Sequence, residues 1–443
     1  MQMSHREAGD RRRSPESLAE KFIESLGADR IVVASESDLP AVTVFPAHIE
    51  DLSEALRIAG HESIRVLPSG ASTWFEMGNW PLNPHVFIST ARMNRILEYE
   101  PADLTATVEA GCTLATFNER ALAHRQFIPL DPPGSKASTI GAIASTASFG
   151  PLRCGYGTPR DWIIGMRIVH MGGSITKAGG KVVKNVAGYD LCKLYTGSYG
   201  TLGIIGELSL KLRARPSGDS TMLLFARSFE SLALVVAEGV QSDLQPAAAE
   251  IFSTDSVQAR LGTDRPFALA LRFLAEPQTI ASQLRLVSDL RQKHDVTETS
   301  LGEDDGQGFW KGYAAAMESP EWAYILRIGV LPSQISETIA EIEKQTPGAS
   351  YFCHAANGVI RVYGRSDWLS KLKTAQRPRR LSELRQAVQH SGGSLVIERS
   401  PAEIKSILDV WGEVGPTARL MREVKAKFDP HSLLNPGRFV AGI

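Results

Sequence analysis

Three loops rich in glycine and hydroxyl residues are the segments of this sequence best suited to holding a ligand. The first, PSGAST at residues 68–73, follows an alternating, strand-like segment. Small residues in such a turn let successive backbone N–H groups converge on an anion, and hydroxyl groups add further donors. The loop lacks the lysine of a phosphate-binding P-loop, and no helix-opening G-x-G-x-x-G follows it, which disfavours ATP and Rossmann-type dinucleotide sites. Taken alone, it is compatible with an anion site or with an ordinary turn.

Two further loops share this composition. The second, PLDPPGSKASTIGAIASTASFGP, covers residues 129–151, and the third, KNVAGYDLCKLYTGSYGTLGIIGE, covers residues 184–207. Within its apolar end, the third loop has glycine at positions Gly197, Gly200, Gly203 and Gly206. Glycine costs backbone entropy in strands and in helices, so four glycines in so short a segment indicate a structural or functional requirement for them. Together the three loops suggest backbone that lies against a flat ligand.

The second half of the chain contains charged residues that could act on a substrate. Arg327, Arg361 and Arg399 lie in strand-like segments, and their guanidinium groups could hold a substrate carboxylate through paired N–H donors. Alternatively, all three form structural ion pairs or contacts with a partner protein. His354 is also open to two interpretations, as a catalytic base or as a packing and hydrogen-bonding residue.

The pattern of apolar residues divides the chain into regions. A chain of 443 residues exceeds the comfortable size of one hydrophobic core, which predicts two domains. Short alternating strands predominate before residue 216, whereas helical and strand patterns alternate after it and predict a mixed α+β domain. A last helix, TARLMREVKAKF, has Leu420, Val424 and Phe428 on one side. The predicted regions are a tail and helix at 1–37, a ligand-binding domain at 38–216, an α+β domain at 217–410 and a C-terminal segment at 411–443.

The composition excludes several classes of protein. A hydrophobic content of 43% and a formal net charge of -1 argue against a disordered chain and against a nucleic-acid-binding surface. No apolar run reaches the ~18–20 residues that a membrane helix needs. The cysteines lie far apart without a Cys-x-x-Cys pair, so local ligands for a zinc ribbon or an iron–sulfur cluster are missing. These features predict a reduced, cytoplasmic protein.

Several segments, taken in their order, resemble the FAD-linked oxidases, flavoproteins of the vanillyl-alcohol-oxidase or PCMH type. They are PSGAST, STIGAIAST, YGTPRDWIIGMRIV, KNVAGYDLCKLYTGSYGTLGIIGELSLKL and FDPHSLLNPGR, and the resemblance covers most of residues 38–443. Within the family, the chain is most similar to FAD-binding subunits of bacterial glycolate oxidase complexes. The resemblance implies an α+β fold with a PCMH-type FAD-binding domain of two α+β subdomains and a ferredoxin-like α+β cap domain. A C-terminal helical segment would return to the FAD-binding domain.

The resemblance also implies where FAD would bind. The first loop is similar to the family's pyrophosphate loop, the second loop to the opposite wall of the dinucleotide site, and Ile205 to the residue whose backbone faces the flavin. FAD is expected to be non-covalent, because the first loop has no His and the second no Cys, the residues that tether flavin in covalent relatives. Gly206 stands where many relatives carry Thr. The expected FAD-binding residues are Pro68, Ser69, Gly70, Ala71, Ser72, Thr73, Pro132, Thr139, Ile140, Gly141, Ala144, Ser145, Gly200, Gly203, Ile205 and Asn435.

The metal motif of related enzymes is altered in this chain. Metal-dependent relatives that oxidise D-2-hydroxy acids carry a motif like H-x-G-D-G-N-x-H and a later Glu-His pair. Here His354 keeps the first position, but Arg361 replaces the second His. Glu398 remains in the later pair, and Arg399 replaces its His. Arginine stays protonated and offers no lone pair to a metal, so no metal is expected in this chain.

The leading functional hypothesis is an FAD-binding subunit of a complex that oxidises glycolate, or another small 2-hydroxy acid, to the oxo acid glyoxylate or its equivalent. The chain offers neither a convincing base nor iron–sulfur ligands, so the resemblance implies a catalytic flavin subunit and an iron–sulfur subunit as partners. Such a complex would be cytoplasmic, or peripheral to the inner membrane through its partners. Two alternatives are an autonomous, metal-free FAD-dependent dehydrogenase of 2-hydroxy acids or alcohols, and a structural flavoprotein subunit without turnover.

Overall fold

The computed structural model describes residues 14–34, 41–134, 137–180, 189–257, 261 and 263–443. The predicted tail before residue 14 and the KNVAG portion of the third loop lie outside these ranges. No helix within the described ranges is both long enough and apolar enough to cross a membrane.

The first subdomain combines a small sheet with two helices around one apolar core. Its elements are α1 (Pro15–Leu26), β1 (Ile31–Val33), β2 (Val42–Val44), α2 (Ile49–His61), β3 (Val66–Ser69) and β4 (Val86–Ser89). The strand order is β1-β2-β4-β3, and β4 runs parallel to β2 and β3. Ser14 caps α1, and Phe22 is fully buried in the shared core, so the predicted first helix packs against this sheet. At the sheet edge, Val66 of β3 pairs with Leu434 near the other end of the chain.

The second subdomain is an antiparallel sheet covered by short helices. Its elements are β5 (Ile96–Glu100), β6 (Thr105–Glu109), α3 (Leu114–Leu122), β7 (Gln126–Phe127), α4 (Ile140–Thr146), α5 (Arg153–Tyr156), α6 (Pro159–Trp162), β8 (Ile163–Val169), β9 (Ile175–Gly179), α7 (Leu191–Tyr195), β10 (Ile204–Lys211) and β11 (Arg213–Ala214). The main sheet has the order β5-β6-β10-β8-β9, while β7 and β11 form a separate ribbon. Apolar residues alternate along β10, in the region where the sequence predicts short alternating strands, and bury Leu208 and Leu210 in the second core.

The cap domain is a broad antiparallel sheet with helices on both faces. Its elements are β12 (Gly218–Ala226), α8 (Phe229–Val240), β13 (Ala248–Ser253), β14 (Phe267–Ala275), α9 (Pro277–Arg291), β15 (Thr297–Leu301), α10 (Glu303–Met317), β16 (Trp322–Gly329), α11 (Ile335–Gln345), β17 (Ser350–His354), β18 (Val359–Arg365), α12 (Arg377–His390), β19 (Ser394–Arg399) and α13 (Ala402–Lys405). The order is β15-β12-β14-β13-β17-β18-β16-β19. Helix α10 packs on one face, and α8, α9, α11 and α12 cover the other. The central strands therefore have apolar residues on both faces.

The C-terminal helix α14 (Thr417–Phe428) lies where the sequence predicts a last helix. On the side shared by its apolar residues, Val424 and Phe428 are half-buried against the second core, whereas Leu420 is 63% exposed. Within this helix the buried residue is Lys425, at 4% exposure, because its ammonium is satisfied by groups of the chain around it.

Candidate functional site

A cleft between the two subdomains brings the three loops together. We call it the first cleft; it is lined from the end of β3, the loop after β3, helix α4, the segment before β10 and the C-terminal segment. Most of the residues expected at FAD line it, namely Pro68, Ser69, Gly70, Ser72, Thr73, Gly141, Ser145, Gly200, Gly203, Ile205 and Asn435.

Five of the expected residues do not line the first cleft. Ile140 and Ala144 point into the second core, on the opposite side of helix α4. The side chain of Thr139 caps that helix by accepting a hydrogen bond of 3.2 Å from the backbone N–H of Ala142. Ala71 is exposed at the loop tip, and Pro132 is buried in the second loop. These positions shape the walls and do not reach the cavity.

The first loop has the properties of an anion cradle. The Ser89 hydroxyl donates to the carbonyl of Gly70 at 3.0 Å, and the Thr90 hydroxyl donates to that of Ser69 at 3.3 Å. The backbone N–H groups of residues 71–73 donate no hydrogen bond to any other described residue. The carbonyls of Ser69 and Gly70 thus accept hydrogen bonds within the chain, whereas the N–H groups of residues 71–73 remain available as donors. The loop therefore fits a phosphate or pyrophosphate group.

Asn435 presents an unused acceptor at the same cleft. Its backbone N–H donates to Val66 at 2.8 Å, and its side-chain Nδ2 donates to the carbonyl of Tyr199 at 2.5 Å. The second contact fixes the amide orientation, and it leaves Oδ1 buried without a hydrogen-bond partner among the described residues. A buried acceptor of this kind is costly unless a ligand N–H reaches it. The residues present therefore fit FAD, whose flavin ring carries such a group.

Two glycines of the third loop are required by close backbone approach. Gly200 has φ +68, and a Cβ there would lie 3.0 Å from Pro68. Gly203 has φ +158, and a Cβ there would lie 2.5 Å from the side chain of Ile168. Bare backbone at these positions lets the segment run directly along the wall of the first cleft.

A second cavity adjoins the first cleft and is lined by two of the three candidate arginines, Arg361 and Arg399. It has about 1100 Å³ of space and shares Ser72, Thr73, Trp74, Phe75 and Met77 with the first cleft. The cap domain contributes Arg361, Glu398 and Arg399 to its lining. The cavity is thus placed where a substrate would meet a ligand of the first cleft.

Two of the candidate arginines share one carboxylate. Arg327 and Arg361 lie directly opposite each other in β16 and β18, an unfavourable arrangement for like charges. Glu398 relieves it, because its carboxylate accepts from Arg327 Nε at 2.8 Å and from Arg361 Nε at 3.2 Å. Burial raises the pKa of Glu398, but the two guanidinium groups outweigh burial and hold the pKa below its usual value. Within this trio, Glu398 leaves neither arginine as a free cation.

Hydrogen bonds to other side chains leave neither ring nitrogen of His354 available to a substrate. Arg361 donates to Nε2 at 2.8 Å, and a guanidinium only donates, so Nε2 is the acceptor of a neutral ring. Nδ1 then donates to Glu250 at 2.7 Å, and Tyr313 donates to the other oxygen of Glu250 at 2.7 Å. Both ring nitrogens are occupied and the residue is buried, so this arrangement favours the hydrogen-bonding interpretation of His354 over the catalytic base.

The third candidate arginine, Arg399, forms a more exposed ion pair. Arg399 forms an ion pair of 2.8 Å with Glu76, and the two side chains are 32% and 62% exposed. Exposed pairs of this kind contribute little stability and can be displaced by a competing anion. Of the candidate arginines, Arg399 is the one best able to change partners.

The altered metal motif does not form a metal site. Across the described residues, no group of three or more His, Cys, Asp or Glu side chains is arranged to hold a metal ion. The guanidinium of Arg361 occupies the side of His354 that a cation would need. The donor set therefore does not fit the divalent metal of related enzymes.

Sequence reasoning missed three residues that the structure places at these cavities. Tyr199 and Arg438 line the first cleft, and Glu250 orients His354 behind the second cavity. Arg438 stands in the segment FDPHSLLNPGR, where only Asn435 was selected, and its contact with Phe75 spans 363 positions. For Glu250 no local signal exists, because its partners come from other elements.

Comparison with known proteins agrees with this architecture. The family model described as FAD binding domain matches residues 40–179, and that described as FAD linked oxidases, C-terminal domain, matches residues 215–398 and 407–439. The glycolate oxidase subunit GlcD of Bacillus subtilis (strain 168) is 26% identical over 91% of this chain and 89% of that protein. A D-2-hydroxyglutarate dehydrogenase of Xanthomonas citri pv. viticola is 28% identical over 90% of this chain and 89% of that protein.

The likeness extends to solved structures. A 4-ethylphenol oxidase from Gulosibacter chungangensis has a TM-score of 0.74 at 16% identity, covering 96% of this chain and 97% of that chain. The predicted fold class, a PCMH-type FAD-binding domain followed by an α+β cap, is confirmed. The expected cofactor, FAD, agrees with the matched family and with the first cleft. With these two domains in this order, the chain belongs to the FAD-linked oxidase family of flavoprotein oxidoreductases.

Proposed function

We propose that this chain is the FAD-binding subunit of an oxidoreductase complex that converts glycolate, or a closely related 2-hydroxy acid, to the oxo acid. The similar proteins are named for glycolate and for D-2-hydroxyglutarate, and both compounds carry a hydroxyl group next to a carboxylate. When bound, FAD supplies the hydride acceptor for such chemistry. The N–H groups of residues 71–73 and Oδ1 of Asn435 would hold and orient it.

The observation that carries the subunit assignment is that neither His354 nor Glu398 is available as a base, because both are engaged by other side chains of the chain. Removing a hydride from a 2-hydroxy acid requires a base for the hydroxyl proton. His354 has both nitrogens engaged, and Glu398 is shared by two arginines. Among the described residues that line the second cavity there is no histidine. A companion catalytic subunit would supply the base.

An iron–sulfur partner is proposed on similar grounds. The four cysteines are all free, and three of them are buried. Burial raises the pKa of Cys112 and Cys192 to about 11, which keeps them as thiols. A separate subunit would therefore carry clusters that lead electrons away. We propose a cytoplasmic complex that reaches the inner membrane only through its partners.

The test compares the isolated chain with the complex purified from its native host. Both are made anaerobic, and the visible flavin spectrum is recorded before and after adding glycolate. We expect bleaching in the complex and an unchanged flavin band in the isolated chain. Bleaching of the isolated chain would overturn the subunit assignment, and no bleaching in either would overturn glycolate oxidation.

The second candidate function is an autonomous dehydrogenase, and the observation favouring it is the displaceable ion pair of Arg399. Its guanidinium lines the second cavity and could bind a carboxylate in place of Glu76. If the isolated chain is bleached by glycolate, an Arg399→Met variant should need much more glycolate for the same rate. Arg379→Met, at an exposed pair on α12, is the matched control.

FAD is expected to leave the denatured protein completely. The first loop contains no His and the second no Cys, so neither offers the usual attachment atom. After precipitation with acid, all flavin absorbance should remain in the supernatant. Flavin that sediments with the protein would show a covalent bond and contradict the prediction.

A further inference from the structure

Arg438 is a buried cation that lacks a counter-ion. Its side chain lines the first cleft and is only 6% exposed. Its guanidinium lies 4.9 Å from the ring centre of Phe75 and donates to the carbonyl of that residue. Among the described residues, no carboxylate forms an ion pair with it. Burying an unpaired charge is costly, so this position calls for an anion.

A second cation lies close to Arg438. Lys405 donates to the carbonyl of Gly78 at 3.3 Å and also to that of Glu76. Burial lowers the pKa of Lys405 to about 8, and repulsion from Arg438 adds to the effect. Burial also lowers the pKa of Arg438, to about 10, which still leaves it protonated at neutral pH. The wall between the two cavities therefore has excess positive charge.

Tyr199 lines the first cleft together with Arg438. Its ring stacks on Phe439 with centres 4.9 Å apart and meets the edge of Trp411 at 4.9 Å. Its backbone is held by Ser145 and Asn435, in a left-handed conformation with φ 55. The hydroxyl makes no hydrogen bond to another described residue. Burial raises the pKa of Tyr199 above its usual value, so the phenol remains a donor.

We propose that the guanidinium of Arg438 and the hydroxyl of Tyr199 form an anion site in the first cleft that binds the carboxylate of a 2-hydroxy acid. This inference rests on the proposed function for its substrate class. A guanidinium fork and a neutral donor suit a carboxylate, whose oxygens accept from both. Phe75, which Arg438 contacts, lines both cavities, so the bound acid would lie where they meet.

The phosphate groups of FAD are the other source of an anion in this cleft. The free N–H groups of residues 71–73 already provide a cradle for them. Arg438 donates a hydrogen bond to Phe75, which follows the cradle in the sequence. The ring of Tyr199 packs against Trp411 and Phe439 of the C-terminal segment. The carboxylate is therefore the occupant that the arrangement favours, and the experiment separates the two.

The experiment titrates the FAD-loaded chain with oxalate, a carboxylate that resembles the substrate but has no hydroxyl to oxidise. Binding is followed by the perturbation of the flavin spectrum, and FAD content is measured for each variant. Because hydrogen bonds to charged groups are stronger than those between neutral groups, Tyr199→Phe should weaken oxalate binding about tenfold or more. Arg438→Met should weaken it further, with FAD content unchanged. The matched controls, Tyr195→Phe in the second core and Arg422→Met on α14, should bind oxalate normally.

Three results would overturn the inference. They are absence of oxalate binding to the unaltered chain, unchanged binding in both variants, and loss of FAD from Arg438→Met, which would assign the anion to FAD. If Arg438→Met does not fold, Arg438→Lys keeps the charge without the fork, and it should retain FAD and still bind oxalate more weakly. Oxalate binding is measured without turnover. If the chain binds oxalate but the complex does not oxidise glycolate, the proposed function is rejected and the anion site is retained.

Discussion

A Lys425→Met variant is expected to lose about 3–5 kcal/mol of unfolding free energy and most of its bound FAD. The ammonium forms a buried ion pair of 2.6 Å with Asp429 and donates to the carbonyls of Thr201 and Leu434, each at 2.8 Å. Removing it leaves the Asp429 carboxylate buried with its charge unpaired. The same change removes the Lys425 link between the third loop and the segment that contains Asn435, and leaves the hydrogen bond of Asn435 to Tyr199 as a remaining link. Urea unfolding and flavin content measure both effects.

The matched control for this variant is Lys427→Met on the same helix. Lys427 is exposed, so its replacement should change the unfolding free energy by less than about 0.5 kcal/mol. Replacing both members of the ion pair by apolar residues should cost less than the sum of the two single changes, because neither charge is then left alone. Equal stability of Lys425→Met and Lys427→Met would show that the buried pair has no stabilising role.

A Glu398→Gln variant is expected to lose about 3–5 kcal/mol of unfolding free energy. Glu398 is the shared carboxylate of Arg327 and Arg361, which lie opposite each other in neighbouring strands. Without it, two guanidinium groups repel each other in β16 and β18, close to the β19 edge of the cap sheet. Urea unfolding at neutral pH measures the loss, and Glu383→Gln, in exposed pairs on α12, is the control.

The loss in Glu398→Gln should also depend on pH. The pKa of Glu398 is lower in the folded chain than in the unfolded chain, because the arginines outweigh burial. Its contribution is therefore complete above the unfolded pKa and disappears as the pH falls through the folded pKa. The difference between the variant and the unaltered protein should shrink over that acid range. A difference that stays constant with pH would contradict the ion-pair explanation.

The sequence predicted the parts of this protein that depend on local pattern. Glycine and hydroxyl residues marked the loops at Ser69 and Gly200, and alternation marked strands such as β10. The family resemblance supplied the fold and the cofactor. The resemblance also singled out His354, Arg361 and Glu398, because they occupy positions of the altered metal motif.

What the sequence could not predict depends on pairing between distant elements. Glu250 contacts His354 because β13 and β17 are neighbours, and nothing near Glu250 in the sequence indicates this. Lys425 occupies a helix position that periodicity gives no reason to bury, and it is buried because Asp429 and two carbonyls satisfy it. Ile140 and Ala144 were expected at the wall of the FAD site, but they lie on the apolar face of helix α4, which packs into the second core.

The contact between β3 and the C-terminal segment has a consequence for biosynthesis. Val66 pairs with Leu434, and Arg438 reaches Phe75 across 363 positions, so the wall of the first cleft is completed only after the cap domain has been translated. The FAD-binding domain that emerges first from the ribosome lacks Asn435, whose buried Oδ1 is proposed to orient FAD. We therefore expect cofactor loading to follow synthesis of both domains, so that a nascent chain interrupted within the cap carries no flavin.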